Sequence, residues 1–260
     1  MSSALSNVNG FLIDLEGTVY EAGRAIPGAR EALAELARRD VPHVFVTNTT
    51  SRPRRALVAE LAAMGIDAKS ERIFTAPLAA REYLKARGWL RCHLLVMPAV
   101  LEDLDGIQSD EVSPQAVVVG DIGEGFSYER LNRAFRLLLD GAQLVTLARN
   151  RFYRAADGLV LDQGPFVAAL EHACGKEAIL VGKPAPTFYR AALAALGLPA
   201  AEVAVIGDDL EAEVVGAQAA GMRGILVRTG KFREEELACS DACPDAILDS
   251  LVEVLRLCQT

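Results

Sequence analysis

Four apolar runs in this chain each stop abruptly at polar residues, and that pattern restricts the fold more than anything else in the sequence. Phe11-Leu12-Ile13 runs into Asp14-Leu15-Glu16-Gly17-Thr18, and Val44-Phe45-Val46 into Thr47-Asn48. Ile179-Leu180-Val181 runs into Gly182-Lys183-Pro184, and Val203 to Ile206 into Gly207-Asp208-Asp209. Unbroken apolar runs this short suit strands buried on both faces, as in a parallel sheet covered by helices. Helical patterns lie between them. Pro27-Gly28 opens one that runs to about Arg39 with Ala29, Ala32, Leu33 and Leu36 on its inner face, and others span about Pro53–Met64, Thr187–Leu196 and Glu211–Ala220. Glycines 65, 197 and 221 stand just past the last three, the usual helix stop. Gly224–Val227, ending at Thr229-Gly230, is the last convincing strand. This alternation predicts an α/β protein with a Rossmann-like, doubly wound parallel sheet and right-handed crossovers.

A second alternation interrupts the first. Helix Ala79–Arg87, strands His93–Met97 and Ala116–Gly120, helix Tyr128–Leu139, strand Leu144–Leu147, a turn at Asp157-Gly158 and helix Phe166–Cys174 are expected in that order. The expected organisation is therefore a core built from residues 1–77 and 178–260, with an α/β domain inserted at 78–177. Gly120-Asp-Ile-Gly123-Glu-Gly125 follows a strand, yet its glycine spacing is wrong for a dinucleotide fingerprint. A glycine-rich loop near a substrate is the better reading. Glu124, Phe126 and Ser127, and Asn150 and Arg151 in a later loop with Arg149 and Tyr153, are the candidates for substrate specificity in the insert.

The 260 residues are 51% hydrophobic, ample for a packed core, and carry a net charge of -8. That charge argues against a nucleic-acid partner, because phosphate backbones are held by clustered Lys and Arg. The local exception, Arg52, Arg54 and Arg55, reads as a solvated first helical turn after Pro53. No apolar run approaches the ~20 residues of a membrane span, and the polar start Met1–Asn9 lacks the regions of a signal peptide. A cytoplasmic location without a membrane partner is expected. Cys92, Cys174, Cys239, Cys243 and Cys258 are odd in number and scattered, which argues against a disulfide framework. Cys239 and Cys243 lack a nearby His or second Cys pair to complete a zinc site, and His43, His93 and His172 stand apart from any triad.

If the strands are parallel, Asp14, Glu16, Thr47, Asn48, Lys183, Asp208 and Asp209 converge at one edge of the sheet, where such folds bind ligands. Acids around one lysine and one hydroxyl suit phosphoryl transfer assisted by a hard cation. Mg²⁺ takes oxygen ligands, usually one or two carboxylates completed by waters and substrate phosphate. Asp14 and Asp208 can supply the carboxylates, Thr47 and backbone N–H groups near Asn48 can hold phosphate oxygens, and Lys183 can offset negative charge.

These four motifs, in this order, resemble the haloacid dehalogenase superfamily phosphatases. The insert between the second and third motifs is similar to the large α/β cap of the group that contains the nucleotide phosphatase NagD. Phe126-Ser-Tyr128, Gly158-Leu159, Gly182-Lys183-Pro184 and Gly216-Ala-Gln218 look closest to the branch of the phospholysine phosphohistidine inorganic pyrophosphate phosphatases. The resemblance implies that Asp14 attacks phosphorus, and that Asp14, Asp208 and the backbone carbonyl of Glu16 bind Mg²⁺. It implies that Thr47 and Asn48 hold the phosphoryl group, that Lys183 steadies the charges, and that Asp209 and Glu213 orient metal-bound water. It also implies a small phosphorylated substrate and a homodimer formed through the cap.

Two positions depart from the family pattern, Glu16 and Glu213, where aspartates are common. The residue at position 16 is implied to protonate the leaving group and then activate water. An extra methylene moves that carboxyl by roughly 1 Å, and misplacement on that scale can cost about 10²-fold in rate. A slow phosphatase is the expectation. A phosphoryl-accepting signalling domain, and a non-catalytic phosphate-binding regulator on the same scaffold, are the competing readings.

Overall fold

The computed structural model describes residues 5, 7–155 and 158–257. Asp157 of the expected turn, Cys258 and most of the first six residues lie outside them. Compactness divides the chain into two units, one of residues 1–47, 54–74 and 183–260, the other of residues 48–53 and 75–182. Among the described residues no helix is long and apolar enough to cross a membrane, and Cys92, Cys174, Cys239 and Cys243 are free thiols.

The first unit begins with β1 (Gly10–Asp14), the short hairpin β2 (Tyr20–Glu21) and β3 (Arg24–Ala25), and α1 (Ala29–Arg38). Then come β4 (His43–Thr47), α2 (Arg54–Ala63) and β5 (Ile73–Thr75). All five residues of β1 and of β4 are buried, as their unbroken apolar character requires. On α1, Ala29, Ala32, Leu33 and Leu36 are the buried residues, the spacing that puts one stripe of a helix against a sheet. Ala29, Leu33 and Leu36 meet Phe11, Ile13 and Phe45 in one core cluster. Each leucine so buried is worth about 1.5–3 kcal/mol.

The second unit carries α3 (Ala76–Arg87), β6 (Arg91–Leu95), β7 (Gln108–Ser109), β8 (Ala116–Val119), α4 (Tyr128–Leu139) and β9 (Gln143–Thr146). The hairpin β10 (Phe152–Ala155) and β11 (Gly158–Leu161), α5 (Gly164–Cys174) and β12 (Ile179–Leu180) complete it. Its main sheet has the order β12-β9-β8-β6-β7 and is parallel throughout. Thr50 is tied into this unit: its hydroxyl donates to Gln163 Oε1 at 3.0 Å and accepts from the Asp121 amide at 3.0 Å.

The chain then returns to the first unit through α6 (Pro186–Leu196), β13 (Val203–Gly207), the π-helical turn Leu210–Gly216, α7 (Ala217–Ala219), β14 (Arg223–Val227), α8 (Glu234–Cys239) and β15 (Ala246–Leu248). Among the described residues its sheet has the order β15-β14-β13-β1-β4-β5, and the registered pairs are parallel. β1 is central, with β13 on one side and β4 on the other, so the direction of winding reverses beside it.

Several expectations need correction. Gly224–Val227 is not the last strand, because β15 continues the sheet; a run of only three apolar residues after Pro244-Asp245 is too short to announce itself. Ile179–Val181 does not join the core sheet: β12 pairs with β9 of the second unit, and so short a run cannot specify which sheet it extends. The expected helix Glu211–Ala220 is a π-helical turn followed by one short helical stretch. Branched Val214 and Val215 and Gly216 are weak helix formers there, and Asp209 and Glu213 hold the turn from outside the ladder.

Two buried histidines make stability depend on pH. His43 Nδ1 donates to the Val41 carbonyl at 2.9 Å, and burial lowers its pKa from 6.5. His93 lies 3.1 Å from Glu111, but burial still lowers its pKa, with Arg133 and Arg130 adding. Its Nε2 is buried without a hydrogen-bond partner. Depressed folded-state values mean that the unfolded chain binds protons first, so this stabilisation is complete above about pH 6.5 and is lost as pH falls. Urea midpoints are expected to fall between pH 6.5 and 5, with a shallower fall in the His43→Gln/His93→Gln variant. Equal slopes would refute the assignment.

Candidate active site

Asp14 ends β1, where the central strand meets the reversal in winding, and it stands in register with Val46, one residue before Thr47 at the end of β4. On the other side β13 ends at Gly207 and delivers Asp208 and Asp209. The sheet therefore sets Asp14, Thr47 and Asp208 at the carboxyl ends of three adjacent strands, the edge where open parallel sheets bind ligands. Lys183 reaches the same place from the connection after β12 rather than from a core strand. It is buried, its Nζ lies 2.5 Å from Asp14 Oδ1, and it also donates to Glu213 Oε1.

Glu213 is held as firmly as the lysine. Its other oxygen accepts from the Asp209 amide at 3.1 Å, while Asp209 Oδ1 accepts from the Ala212 amide at 3.0 Å, a reciprocal arrangement like that of a capping box. Tyr189 from α6 donates its hydroxyl to the Ala212 carbonyl on the same turn. Glu213 is thus fixed from both sides of its backbone, and the lysine between two acids is fixed with it.

Burial alone would lower the Lys183 pKa, but Asp14 and Glu213 outweigh it and hold it well above its ordinary value. Burial pushes the Glu213 carboxyl up to about 8, with Asp14 adding to the push and Lys183 opposing it. Asp208 is pushed up to about 7, first by burial and then by the charge of Asp14. Two acids thus face each other with one cation already shared between Asp14 and Glu213, and the pocket holds surplus negative charge.

The Asp208 carboxylate sits in a notch with no room for side chains. A Cβ built on Gly17 would lie 1.9 Å from Asp208 Oδ2, and one on Gly230 would lie 2.1 Å from it. Both glycines have positive φ, 85° and 58°. The notch is closed by the Lys231 amide, which donates to Asp208 Oδ2 at 2.7 Å, and by Thr229 Oγ1, which donates to the Gly17 carbonyl at 2.5 Å. The loops after β1 and β14 are therefore joined around one carboxylate.

This donor set fits a hard divalent cation. Asp14 and Asp208 bring carboxylate oxygens, and surplus negative charge is present. Among the described residues no three His, Cys, Asp or Glu side chains form a metal cage by themselves. A Mg²⁺ site needs only one or two carboxylates when a backbone carbonyl and waters complete it.

The remaining candidates divide. Glu16 is exposed and its Oε1 accepts from the Ala22 amide at 3.2 Å. Asn48 clusters with the second unit rather than with Thr47. In that unit Ser127 caps α4 by accepting from the Arg130 amide, Phe126 stacks on Phe166 with ring centroids 3.9 Å apart, and Glu124 is exposed on the turn Gly123–Gly125. Asp121 Oδ1 accepts from the Gly123 amide at 2.8 Å, which accounts for the glycine-rich loop as a local turn. The Asn150 carbonyl accepts from the Gly164 amide, and Arg151 lies over the Phe152 ring. Arg149, Arg151, Phe152 and Leu161 line part of a cavity of about 440 Å³. Sequence reasoning missed Lys231 and Gly230, although Thr229-Gly230-Lys231 follows an apolar strand as the other motifs do.

A family model described as haloacid dehalogenase-like hydrolase matches residues 11–108, and a second, HAD-hydrolase-like, matches residues 180–254. The phospholysine phosphohistidine inorganic pyrophosphate phosphatase of Rattus norvegicus is 44% identical over 97% of this chain and 95% of its own length. The crystal structure of 4-nitrophenylphosphatase from Thermotoga maritima superposes with a TM-score of 0.91 at 30% identity, covering 98% of this chain and 99% of that one. Glycerol phosphate phosphatase Rv1692 from Mycobacterium tuberculosis, solved in complex with magnesium, has a TM-score of 0.87 at 27% identity, covering 96% of this chain and 77% of its own. With its motifs in order and its site assembled at the carboxyl edge of the sheet, the chain belongs to the haloacid dehalogenase-like hydrolases, among their phosphatases.

Proposed function

We propose that this chain is a Mg²⁺-dependent phosphatase that hydrolyses a small phosphorylated substrate, a phosphomonoester, phosphoamide or pyrophosphate, through an aspartyl phosphate on Asp14. The observation that supports it most is the buried Lys183, which touches Asp14 and Glu213 beside Asp208. The first unit acts as the catalytic core and the second as the cap. The relatives' names supply the substrate classes. A cytoplasmic setting is part of the same reading. So is a homodimer through the cap, whose hairpin exposes Leu159 and Leu161.

In this mechanism an Asp14 oxygen forms a bond to phosphorus as the bond to the leaving group breaks, and Glu16 gives the departing oxygen or nitrogen a proton. Water then attacks phosphorus, Glu16 takes its proton, and Asp14 is released. Lys183 keeps Asp14 aimed, and Thr47 with Asn48 holds the phosphoryl oxygens. Asp14, Asp208 and the Glu16 carbonyl would hold Mg²⁺, which when bound offsets the charge of the phosphoryl group. Asp209 and Glu213 keep this arrangement in place.

The Glu16 side chain rests on the Ala22 amide, and that contact favours the second reading, a weakly active or non-catalytic phosphate binder. The two readings separate in an assay of p-nitrophenyl phosphate with Mg²⁺. Glu16→Asp is expected to raise kcat and Glu16→Gln to lower it by about 10²-fold, the usual worth of a positioned acid or base. No turnover by wild type under any Mg²⁺ concentration would favour the binder.

A further inference from the structure

Lys231 is a cation beside the site that none of the proposed steps uses. Its amide is fixed to Asp208 Oδ2 at 2.7 Å, so the residue's backbone moves with that carboxylate. Its side chain is 67% exposed, and Nζ lies 3.8 Å from Asp209 Oδ2, too far for a hydrogen bond. Lys183 differs in both respects, being buried and pressed against two acids. The neighbouring arginines are engaged elsewhere: Arg228 with Asp249 and Glu234, Arg233 with the Gly230 and Phe232 carbonyls.

The charge balance says what such a lysine is for. A phosphomonoester brings one phosphate to a site whose buried lysine is already shared by two acids. A phosphoanhydride brings a second phosphate directly bonded to the first, and the partly exposed Asp209 repels it unless a further cation meets it. We propose that Lys231 anchors the second anionic group of the substrate, the distal phosphate of a pyrophosphate-like phosphoanhydride, and so selects phosphoanhydrides over esters with an uncharged leaving group. This rests on the phosphatase reading. In the step concerned, the Asp14 oxygen bonds to the proximal phosphorus and the bridging P–O bond breaks. The electron pair leaves with the distal phosphate, which takes a proton from Glu16 and whose charge Lys231 balances as a point charge.

Steady-state kinetics at saturating Mg²⁺ test it with Lys231→Met, which keeps the length and removes the charge, and Lys231→Arg, which keeps the charge. For pyrophosphate, Lys231→Met is expected to raise KM about tenfold or more, the scale of one charged hydrogen bond, with kcat changed by less than about threefold. For p-nitrophenyl phosphate the rise in KM is expected to stay under about threefold, and Lys231→Arg to recover most of the pyrophosphate affinity. The same fold-change on both substrates, or none on pyrophosphate, overturns the proposal. Wild type that hydrolyses p-nitrophenyl phosphate but not pyrophosphate overturns it while leaving the phosphatase reading intact. If neither is hydrolysed, that reading fails, and calorimetry with methylenediphosphonate against phenylphosphonate still decides. A preference for the diphosphonate that Lys231→Met erases supports the anchor, and equal binding removes it.

Discussion

Replacing Asp14 with Asn is expected to lower kcat for p-nitrophenyl phosphate by about 10⁴-fold or more, the scale seen when a covalent catalyst loses its nucleophile. The amide is nearly the shape of the carboxylate, so the loss is chemical rather than a collapse of the site. Asn cannot carry the phosphoryl group, and Lys183 keeps Glu213 as its partner. Stability is expected to move the other way or not at all. The charge of Asp14 is one of the causes that push Asp208 up to about 7, so removing it relieves repulsion between buried acids. A metal-free melting temperature equal to or above that of wild type, with turnover gone and no acid-stable phosphoenzyme, is the expected result. Residual turnover within tenfold of wild type would exclude Asp14 as the group that accepts phosphate.

Lys183→Met is expected to have the largest effect on the fold itself. It strands Asp14 and Glu213 in a buried setting, and breaking a buried ion pair by removing one partner costs about 3–5 kcal/mol. Glu213 can escape part of that cost by taking up a proton. Its folded-state pKa then stands above the unfolded one, so the stability of the variant is present at low pH and is lost as pH rises. Urea unfolding at pH 5.5 and pH 8 should therefore show a deficit against wild type that is much larger at pH 8. Adding Glu213→Gln to Lys183→Met should recover part of it. A deficit independent of pH would mean that the lysine acts through packing alone.

Most of the core could be read from the sequence, because strands buried on both faces are written as short apolar runs and their ends as sudden polarity. That rule located Asp14, Thr47 and Asp208, which the register sets side by side. It named Lys183 but not its route, since two residues of β12 say nothing about which sheet they extend. The rule also applied to Thr229-Gly230-Lys231 and was not pressed there. The short strands β5 and β15 and the hairpin β10–β11 were invisible for a different reason. Three or four residues carry too little periodicity to stand out. Glu213 shows the limit of motif reading: its position was legible, but not that it would share the lysine with Asp14, because that depends on a π-helical turn no local propensity announces.

The central place of β1 has a consequence for biosynthesis. Asp14 is made 169 positions before Lys183, and β13, the strand that closes one flank of β1, is made later still. Through that interval the nascent chain carries Asp14 with an open sheet edge beside it. Contacts so distant in sequence are slow to form. The segment around β1 is then the part most in need of shelter, and a prematurely released fragment would hold the acid without its partners.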